Sequence, residues 1–167
     1  MENLHISTMT GISSINSDIN LEDLYQKIHI NEVIRSIKYG INEEGNIRFK
    51  GNIKINTKKK LKTFYNQATI QLYCDKIINL KLFNNGKVQM TGLKHEDQGI
   101  RVIRLLLAEL DLLPAGICKE KPYADPVKIA CINSDFSIGY TINREILHKE
   151  IIDQGYYSSY EPCIYPG

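Results

Sequence analysis

The sequence predicts an α+β fold in which an antiparallel sheet carries its helices on one face. Three features support this fold class: a strand–turn–helix segment that occurs twice, a β-hairpin with one apolar and one polar face, and an amphipathic helix directly after the hairpin. The chain of 167 residues is 43% hydrophobic and 24% charged, which is an ordinary globular composition that can bury a core.

The repeated segment pairs residues 19–28 with residues 142–151, and Ile, Asn, Glu, Leu and Ile recur at the same places in both. Asn20 and Asn143 are suitable N-cap residues, because the Asn side chain can accept hydrogen bonds from the first free N–H groups of a helix, and an acid follows in each first turn. Each copy therefore predicts a strand, a turn and a helix. The same offset also pairs Ile6 with Ile129 and Ile15 with Ile138 without a gap.

The hairpin covers residues 80–91, and Asn85-Gly86 can supply the positive φ angles of a tight turn. Alternation along its two strands separates two faces. The apolar face, which requires a core, holds Leu80, Leu82, Val88 and Met90. The polar and cationic face holds Lys81, Phe83, Lys87, Gln89 and Thr91.

The elements around the hairpin give the chain its organisation. Residues 68–73 alternate as a half-buried strand does, and Glu96 to Leu110 predicts an amphipathic helix. Its apolar side is formed by Ile100, Ile103, Leu106, Leu107 and Leu110. A segment with three prolines then separates two units. We predict a first repeat at residues 1–113, a linker at 114–126, and the start of an incomplete second repeat at 127–167.

Several classes of function find no support in the sequence. The net charge is only +2, no apolar run could span a bilayer, and the N-terminus lacks the basic-then-apolar plan of a signal peptide. The four cysteines form no CxxC pair, and His95-Glu96 does not begin an HExxH motif because position 99 is glycine. No Walker A or GxSxG motif is present. We therefore expect a protein that is not an enzyme, has no cofactor, metal or membrane partner, and is not secreted.

Two segments carry a resemblance to the TATA-box-binding protein family. Phe83–Gly92 resembles the family's hairpin: Phe, two small or polar residues, Gly, Lys, three residues, Thr, Gly. Residues 158–167 resemble the second-repeat segment Ser-Ser-Tyr-Glu-Pro, two residues, an aromatic, Pro, Gly. Residues 94–98 also resemble the lysine and acidic start of the family's long helix. The resemblance covers nearly the whole chain except about residues 40–63, which resemble an insertion. The departures of this sequence from the family pattern resemble those of a copy from a large DNA virus or a protist.

The resemblance implies a ten-stranded saddle of two repeats, with the helices on its convex face and its concave face in the minor groove of DNA. The family is itself the standard example of minor-groove kinking by inserted side chains, so the resemblance alone supplies this geometry. This chain stops at Gly167, where the hairpin and long helix of a second repeat should still follow. We therefore expect the second repeat to be truncated here.

The resemblance also assigns the DNA-binding residues by position. Phe83 matches the inner wedge of the first repeat, and Tyr165 matches a wedge of the second. The outer wedge of the first repeat is less direct, because counting residues back from Phe83 leads to Asn66, which cannot act as a wedge. Keeping Ala68, Ile70 and Leu72 toward the core leads to Tyr65 instead, with Phe64 as the alternative. Ser7-Thr8 matches a Ser-Thr pair in the family's first strand, and Lys87 lies within the matched hairpin. Four further residues match groove-floor positions: Ile6, Gln89, Thr91 and Ile129. Gln89 replaces a usual valine, and Leu4 and Val127 replace asparagine, at positions that bear on base preference.

The function that the resemblance implies is general transcription initiation at double-stranded promoter DNA. The implied partners are a factor IIB-like initiation factor, contacted through Glu161 and Ile164, and an RNA polymerase machinery. Cys163 replaces a usual acid beside that contact. The expected location is the nucleus, or a cytoplasmic viral factory if the protein is viral. Two alternatives stay open: an interaction module that kept the fold but lost DNA binding, and an accessory domain of a nucleic-acid enzyme.

Overall fold

A computed structural model of the chain describes residues 4–52 and 64–164, which form two compact units. The first unit is His5–Asp135, and the second contains the chain from Phe136 onward. The boundary therefore falls after residue 135, beyond the linker predicted at residues 114–126. The strand that was predicted to open the second repeat belongs to the first unit.

The first unit is built on a seven-stranded antiparallel sheet with the order β3-β2-β4-β5-β6-β1-β7. Its strands are β1 (His5–Ser14), β2 (Ile34–Ile41), β3 (Ile47–Gly51), β4 (Gln67–Cys74), β5 (Lys76–Phe83), β6 (Lys87–Leu93) and β7 (Lys128–Asp135). Its helices are α1 (Leu21–Lys27) and α2 (Glu96–Asp111). The predicted α+β class with helices on one face of an antiparallel sheet is confirmed.

The core lies between the sheet and the two helices. Buried residues alternate along β4 and β5, and along β6 as far as Met90, as the strand period of two requires when one face is covered. Leu80, Leu82, Val88 and Met90 are at most 1% exposed, which confirms the predicted apolar face of the hairpin. The other face of the same strands points away from α1 and α2.

The hairpin turn differs in detail from the prediction. Among the described residues, only Gly86 of the loop between β5 and β6 has a positive φ, +77°, whereas Asn85 does not. The Gly86 N–H donates to the Phe83 carbonyl at 3.0 Å, so the tight turn ends in a glycine with left-handed backbone conformation. The turn packs on the segment after β1, because Ile15 N–H donates to the Gly86 carbonyl at 2.9 Å. A Cβ at Gly86 would lie 2.5 Å from the Ser17 carbonyl oxygen, so the position requires glycine.

The helix α2 lies where it was predicted, but its buried stripe is rotated. Gly99, Val102, Ile103, Leu106 and Leu110 face the core, at the spacing of one helix face. Ile100, which was predicted to be on the apolar side, is 42% exposed. The reason is close approach: a Cβ at Gly99 would lie 3.0 Å from a Val127 methyl group, so this glycine brings the helix onto its neighbours and turns Ile100 outward.

Part of the predicted insertion forms an additional edge strand. The resemblance implies five strands in each repeat, whereas six precede the linker here, and β3 is the one that lies inside residues 40–63. Arg48 of β3 anchors it: its two terminal nitrogens donate to the Glu22 carboxylate of α1 at 2.9 and 2.5 Å. The guanidinium also lies over the Tyr25 ring, 4.7 Å from its centroid. Residues 53–63 lie outside the described part of the chain.

The two predicted N-caps are confirmed. The Asn20 side chain accepts from Glu22 N and Asp23 N, and the Asn143 side chain accepts from Glu145 N and Ile146 N. Asn143 caps α3 (Arg144–Asp153) in the second unit, and the first residues of β7 and α3 are as far apart in the sequence as those of β1 and α1. Each of the two segments thus contains a strand, a capping Asn and a helix.

The linker is tied to the first unit by backbone hydrogen bonds. Asn20 N–H donates to the Ile117 carbonyl at 2.9 Å, and Asp125 N–H donates to the Ser14 carbonyl at 2.8 Å. Ile117 is only 5% exposed. The segment is thus a packed connection along residues 14–20.

We predict that Gly86→Ala lowers the free energy of unfolding by at least about 2 kcal/mol, because alanine is strained at this φ and its Cβ meets the Ser17 carbonyl. The matched control is Gly45→Ala: its φ is +80° but nothing lies within 4 Å of the added Cβ, so only about 1 kcal/mol should be lost. Denaturant unfolding measures both. Equal losses would show that the contact between the turn and Ser17 contributes nothing.

The ion pair between Glu22 and Arg48 predicts a specific acid sensitivity. Hydrogen bonding from Arg48 lowers the pKa of the Glu22 carboxyl below its ordinary value of about 4.5. A lowered folded-state pKa contributes stability that is present above the unfolded value and is lost as pH falls through the folded value. Because the pair is partly exposed, the contribution should be at most about 1 kcal/mol.

Glu22→Gln should therefore be less stable than the parent at neutral pH, and the difference should disappear in acid. Unfolding measured from neutral pH to below 4.5 tests this sign. Glu43→Gln, at an exposed acid in the turn between β2 and β3, is the control and should change stability little at any pH. A Glu22→Gln difference that grows as pH falls would contradict the assignment.

Candidate nucleic-acid interface

The face of the sheet that points away from α1 and α2 is called the open face here. It is defined by alternate residues of five central strands, which lie side by side in the register of the sheet. They are Thr8, Thr10 and Ile12 of β1; Ser36 and Lys38 of β2; Gln67, Thr69, Gln71 and Tyr73 of β4; Ile77, Asn79, Lys81 and Phe83 of β5; and Lys87, Gln89 and Thr91 of β6.

The structure brings together most of the residues that were predicted to bind DNA. Phe83 is half-buried and lines a shallow groove of about 460 Å³ together with Ile12, Lys87 and Gln89. Gln89 lies opposite Lys81 on one side and Ile12 on the other. An aromatic ring, two cations and an amide thus share one end of the open face.

The predicted threonines also lie on this face. Thr91 is the direct neighbour of Thr10 on β1 and of Asn79 on β5, and its hydroxyl donates to the Asn79 carbonyl at 3.4 Å. Thr8 lies one alternation further along β1 and is half-buried. Thr91, Thr10 and Thr8 are hydroxyl-bearing side chains that can donate or accept hydrogen bonds on an otherwise flat surface.

The two candidates for the second aromatic position of the first repeat, Tyr65 and Phe64, have different surroundings. Phe64 is 61% exposed and lines a groove of about 270 Å³ with Lys38, Thr69 and Lys81 of the open face. Tyr65 is 70% exposed, does not line this groove, and contributes a backbone carbonyl that accepts from the Tyr39 hydroxyl at 3.0 Å. Phe64, the alternative, thus borders the open face beside Lys81.

The charge of the open face is positive although the chain is nearly neutral. Lys38, Lys81 and Lys87 occupy strand positions on this face, and within the strands that define it the structure shows no acid among these positions. One acid, Asp125, borders the Phe83 groove, where its carboxylate accepts from Asn16 Nδ2 at 2.7 Å. A cationic surface of this kind attracts polyanions.

Ile6 and Ile129, which were predicted as groove-floor residues, do not join this face. Both are half-buried and pack against the core. The reason is two irregularities in the pairing of β1 with β7, at Ser7 and at Ala130, since each extra residue turns the next side chain to the opposite face. The Lys94 ammonium stabilises the irregularity at Ser7, because it donates to the Ile6 and Ser7 carbonyls at 2.9 and 2.6 Å.

The same end of the sheet holds a small polar cluster. The Ser7 hydroxyl donates to the Asp135 carboxylate, and His5 Nδ1 lies 3.2 Å from it. The hydrogen bond from Ser7, followed by the one from His5, lowers the pKa of the Asp135 carboxyl. All three side chains are exposed.

The predicted partner-binding residues lie in the second unit. Glu161 and Ile164 are exposed, Ile164 at 83%, and the Ile164 N–H donates to the Glu161 carbonyl at 2.9 Å in a tight turn. The segment before them is held on α3, because His148 Nδ1 lies 2.9 Å from the Ser158 hydroxyl and its ring lies 6.0 Å from that of Tyr160. The predicted wedge Tyr165 lies outside the described residues.

Other kinds of site find no support within residues 4–52 and 64–164. There, no three His, Cys, Asp or Glu side chains come together as metal ligands. None of the helices in this part of the chain has the length and apolarity needed to cross a membrane.

Open-face residues that were missed as site candidates include Lys38, Thr10 and Ile12. The alternation Thr8-Met9-Thr10-Gly11-Ile12 places Thr10 and Ile12 beside Thr8, so this signal was available. Lys38 could be placed only once the pairing of β2 with β4 was known, because it is Thr69 of β4 that lies next to it.

Comparison with known proteins agrees with this geometry. No model of a known protein family matches the chain. A protein of Acanthamoeba polyphaga mimivirus described as TATA-box-binding protein-like is 32% identical over 169 aligned positions, which cover 88% of this chain and 45% of that protein. The chain thus spans less than half the length of that relative.

Among solved structures, the TATA-box-binding protein (TBP) of Methanococcus jannaschii matches 99% of this chain and 74% of its own, with a TM-score of 0.60 and 18% identity. Likeness at this identity shows the fold. The resemblance to the TATA-box-binding protein family is confirmed: the chain has the fold of this structure and is similar in sequence to a viral protein described as TATA-box-binding protein-like.

Proposed function

We propose that the chain binds promoter DNA in the minor groove through its open face, as a TBP-like initiation factor without catalysis. The observation that carries this proposal is the composition of that face: two exposed or half-exposed aromatic rings, Phe64 and Phe83, beside three lysines and no acid at the central strand positions. A sheet face that served only as a structural surface would not need this combination.

Each group on the face fits one part of a duplex. The floor of the minor groove at A·T pairs displays hydrogen-bond acceptors, which hydroxyl donors such as Thr69, Thr91 and Thr10 can reach. Lysines at the border fit the phosphates, which position a protein without reading the sequence. A bulky aromatic ring can insert at a base step and replace the stacking that is lost there.

The two aromatic residues have distinct expected roles. Phe83 is held by the hairpin turn and is half-buried, so its ring is already oriented before DNA arrives. Phe64 precedes β4, and its carbonyl accepts from Gln67 N–H at 3.4 Å, which places it at the border of the same end. We infer that Phe83 is the inner wedge and Phe64 the outer wedge.

The partners are part of the same proposal. Glu161 and Ile164 present an acid and an apolar side chain on one exposed turn, which suits a basic and apolar surface of a factor IIB-like protein that would connect the chain to an RNA polymerase. The mimivirus relative supports a source among large DNA viruses, with action in a cytoplasmic viral factory; a nuclear location is the other candidate.

Phe83→Ala should weaken binding to an A·T-rich duplex and reduce its bending, while lowering the free energy of unfolding by at most about 1.5 kcal/mol. The neighbouring change Leu82→Ala is the control, because Leu82 is fully buried and its loss should cost about 2–5 kcal/mol. A duplex with fluorescent ends reports bending, and a denaturant melt of the free chain reports stability. Intact bending together with a large loss of stability in Phe83→Ala would assign this ring to the core.

The lysines predict the salt dependence of binding. Lys81→Gln and Lys87→Gln should each flatten the plot of log affinity against log salt by about 0.9, the contribution of one phosphate contact on duplex DNA. Lys27→Gln, an exposed lysine at the end of α1, is the matched control and should leave the slope unchanged. A slope that changes only in the α1 variant would place the DNA on the helix side of the sheet.

A further inference from the structure

Three polar side chains form a hydrogen-bonded row across the open face. The Ser36 hydroxyl oxygen lies 2.9 Å from Gln71 Oε1, and Gln71 Nε2 lies 3.2 Å from Asn79 Oδ1. The row follows the pairing of the sheet, because Ser36 is the direct neighbour of Gln71 and Gln71 is the direct neighbour of Asn79. It therefore crosses β2, β4 and β5 at right angles to the strands.

Burial decreases steadily along the row. Ser36 has 0% of its surface exposed, Gln71 is half-buried, and Asn79 is exposed. A row that served only to satisfy the buried hydroxyl could end at Gln71. The third member carries the hydrogen-bonding chain out to the centre of the open face, where Asn79 meets Thr91 of β6.

Like the threonine hydroxyls of this face, each side-chain amide of the row has both a donor and an acceptor. The assignment of oxygen and nitrogen in a side-chain amide rests on its hydrogen bonds, but either orientation leaves Asn79 with polar capacity that the row does not use. The carbonyl oxygen of Gln71 likewise has a second lone pair. The centre of the face can thus accept a hydrogen bond as well as donate one.

This capacity matters for the chemistry of the minor groove. A·T pairs present only acceptors there, whereas a G·C pair adds the amino group of guanine as a donor. Against an apolar floor that amino group would be buried without a partner, which is costly and disfavours G·C. Against an amide oxygen it would find an acceptor.

We propose that the row formed by Ser36, Gln71 and Asn79 accepts a hydrogen bond from the guanine amino group, so that this protein accommodates a G·C pair within its binding site. The inference rests on the proposed function and deepens it by naming a determinant of base preference. Ser36 orients Gln71, and Gln71 orients Asn79. Asn79 and Gln71 are the groups that meet the base pair.

The experiment compares an A·T-rich duplex with two series in which one pair at a time is replaced by G·C or by inosine·C. Inosine lacks the amino group but is otherwise the same purine, so the ratio of the two affinities isolates that group. For the parent chain, G·C and inosine·C should bind within about threefold of each other at the one or two positions that face the row. Elsewhere inosine·C should bind more tightly.

The double variant Gln71→Leu with Asn79→Leu should remove the acceptors. At the positions facing the row, G·C should then bind about tenfold more weakly than inosine·C, while the affinity for inosine·C is kept. Asn79→Leu alone, which keeps the bond between Ser36 and Gln71, should give a smaller change of the same sign and guards against a folding defect. Gln26→Leu, the same substitution on α1, is the control and should leave every ratio unchanged.

Two results would overturn the inference: inosine·C binding more tightly than G·C at every position for the parent chain, or ratios that the leucine variants do not change. Failure of the proposed function looks different. In that case the parent chain would not bind even the unmodified A·T-rich duplex, and the inference would fall together with the function on which it rests.

Discussion

Burial of the apolar side chains of β4, β5 and β6 against α1 and α2 is the interaction on which the rest of the structure depends. Because side chains alternate along a strand, fixing Leu80, Leu82 and Met90 in the core also fixes which residues point the other way. A slip of one residue would bury Lys81 and expose Leu82. The hydrophobic core therefore sets the composition of the open face, although no core residue is expected to touch a ligand.

Local geometry then determines how far this face extends. Gly86 lets the hairpin turn pack on the segment after β1, which holds Phe83 at the border of the sheet. The irregularities at Ser7 and Ala130 act in the opposite sense, because they turn Ile6 and Ile129 toward the core where β1 pairs with β7. The open face is thus well defined in the centre of the sheet, whereas toward β7 the expected residues Ile6 and Ile129 lie against the core instead.

Features that depend on neighbouring residues could be predicted from the sequence, whereas features that depend on contacts between distant segments could not. Strand alternation, the N-caps Asn20 and Asn143, and the helix after the hairpin are local patterns, and all were predicted correctly. The bulges, the rotation of α2 that exposes Ile100, and the choice between Phe64 and Tyr65 depend on pairing and packing between distant segments. The hydrogen bonds that join Ser36, Gln71 and Asn79 likewise need the order of three strands, which no single stretch of sequence specifies.

The central claim is that the open face, and not the helix side, meets the duplex. Side-chain amide signals in nuclear magnetic resonance test it most directly, because Gln71, Asn79 and Gln89 all lie on this face. On addition of an A·T-rich duplex, the NH₂ signals of these three residues should shift, while the backbone amides of the outer side of α2 should stay in place. Shifts concentrated on α1 and α2, with the open-face amides unchanged, would contradict the account.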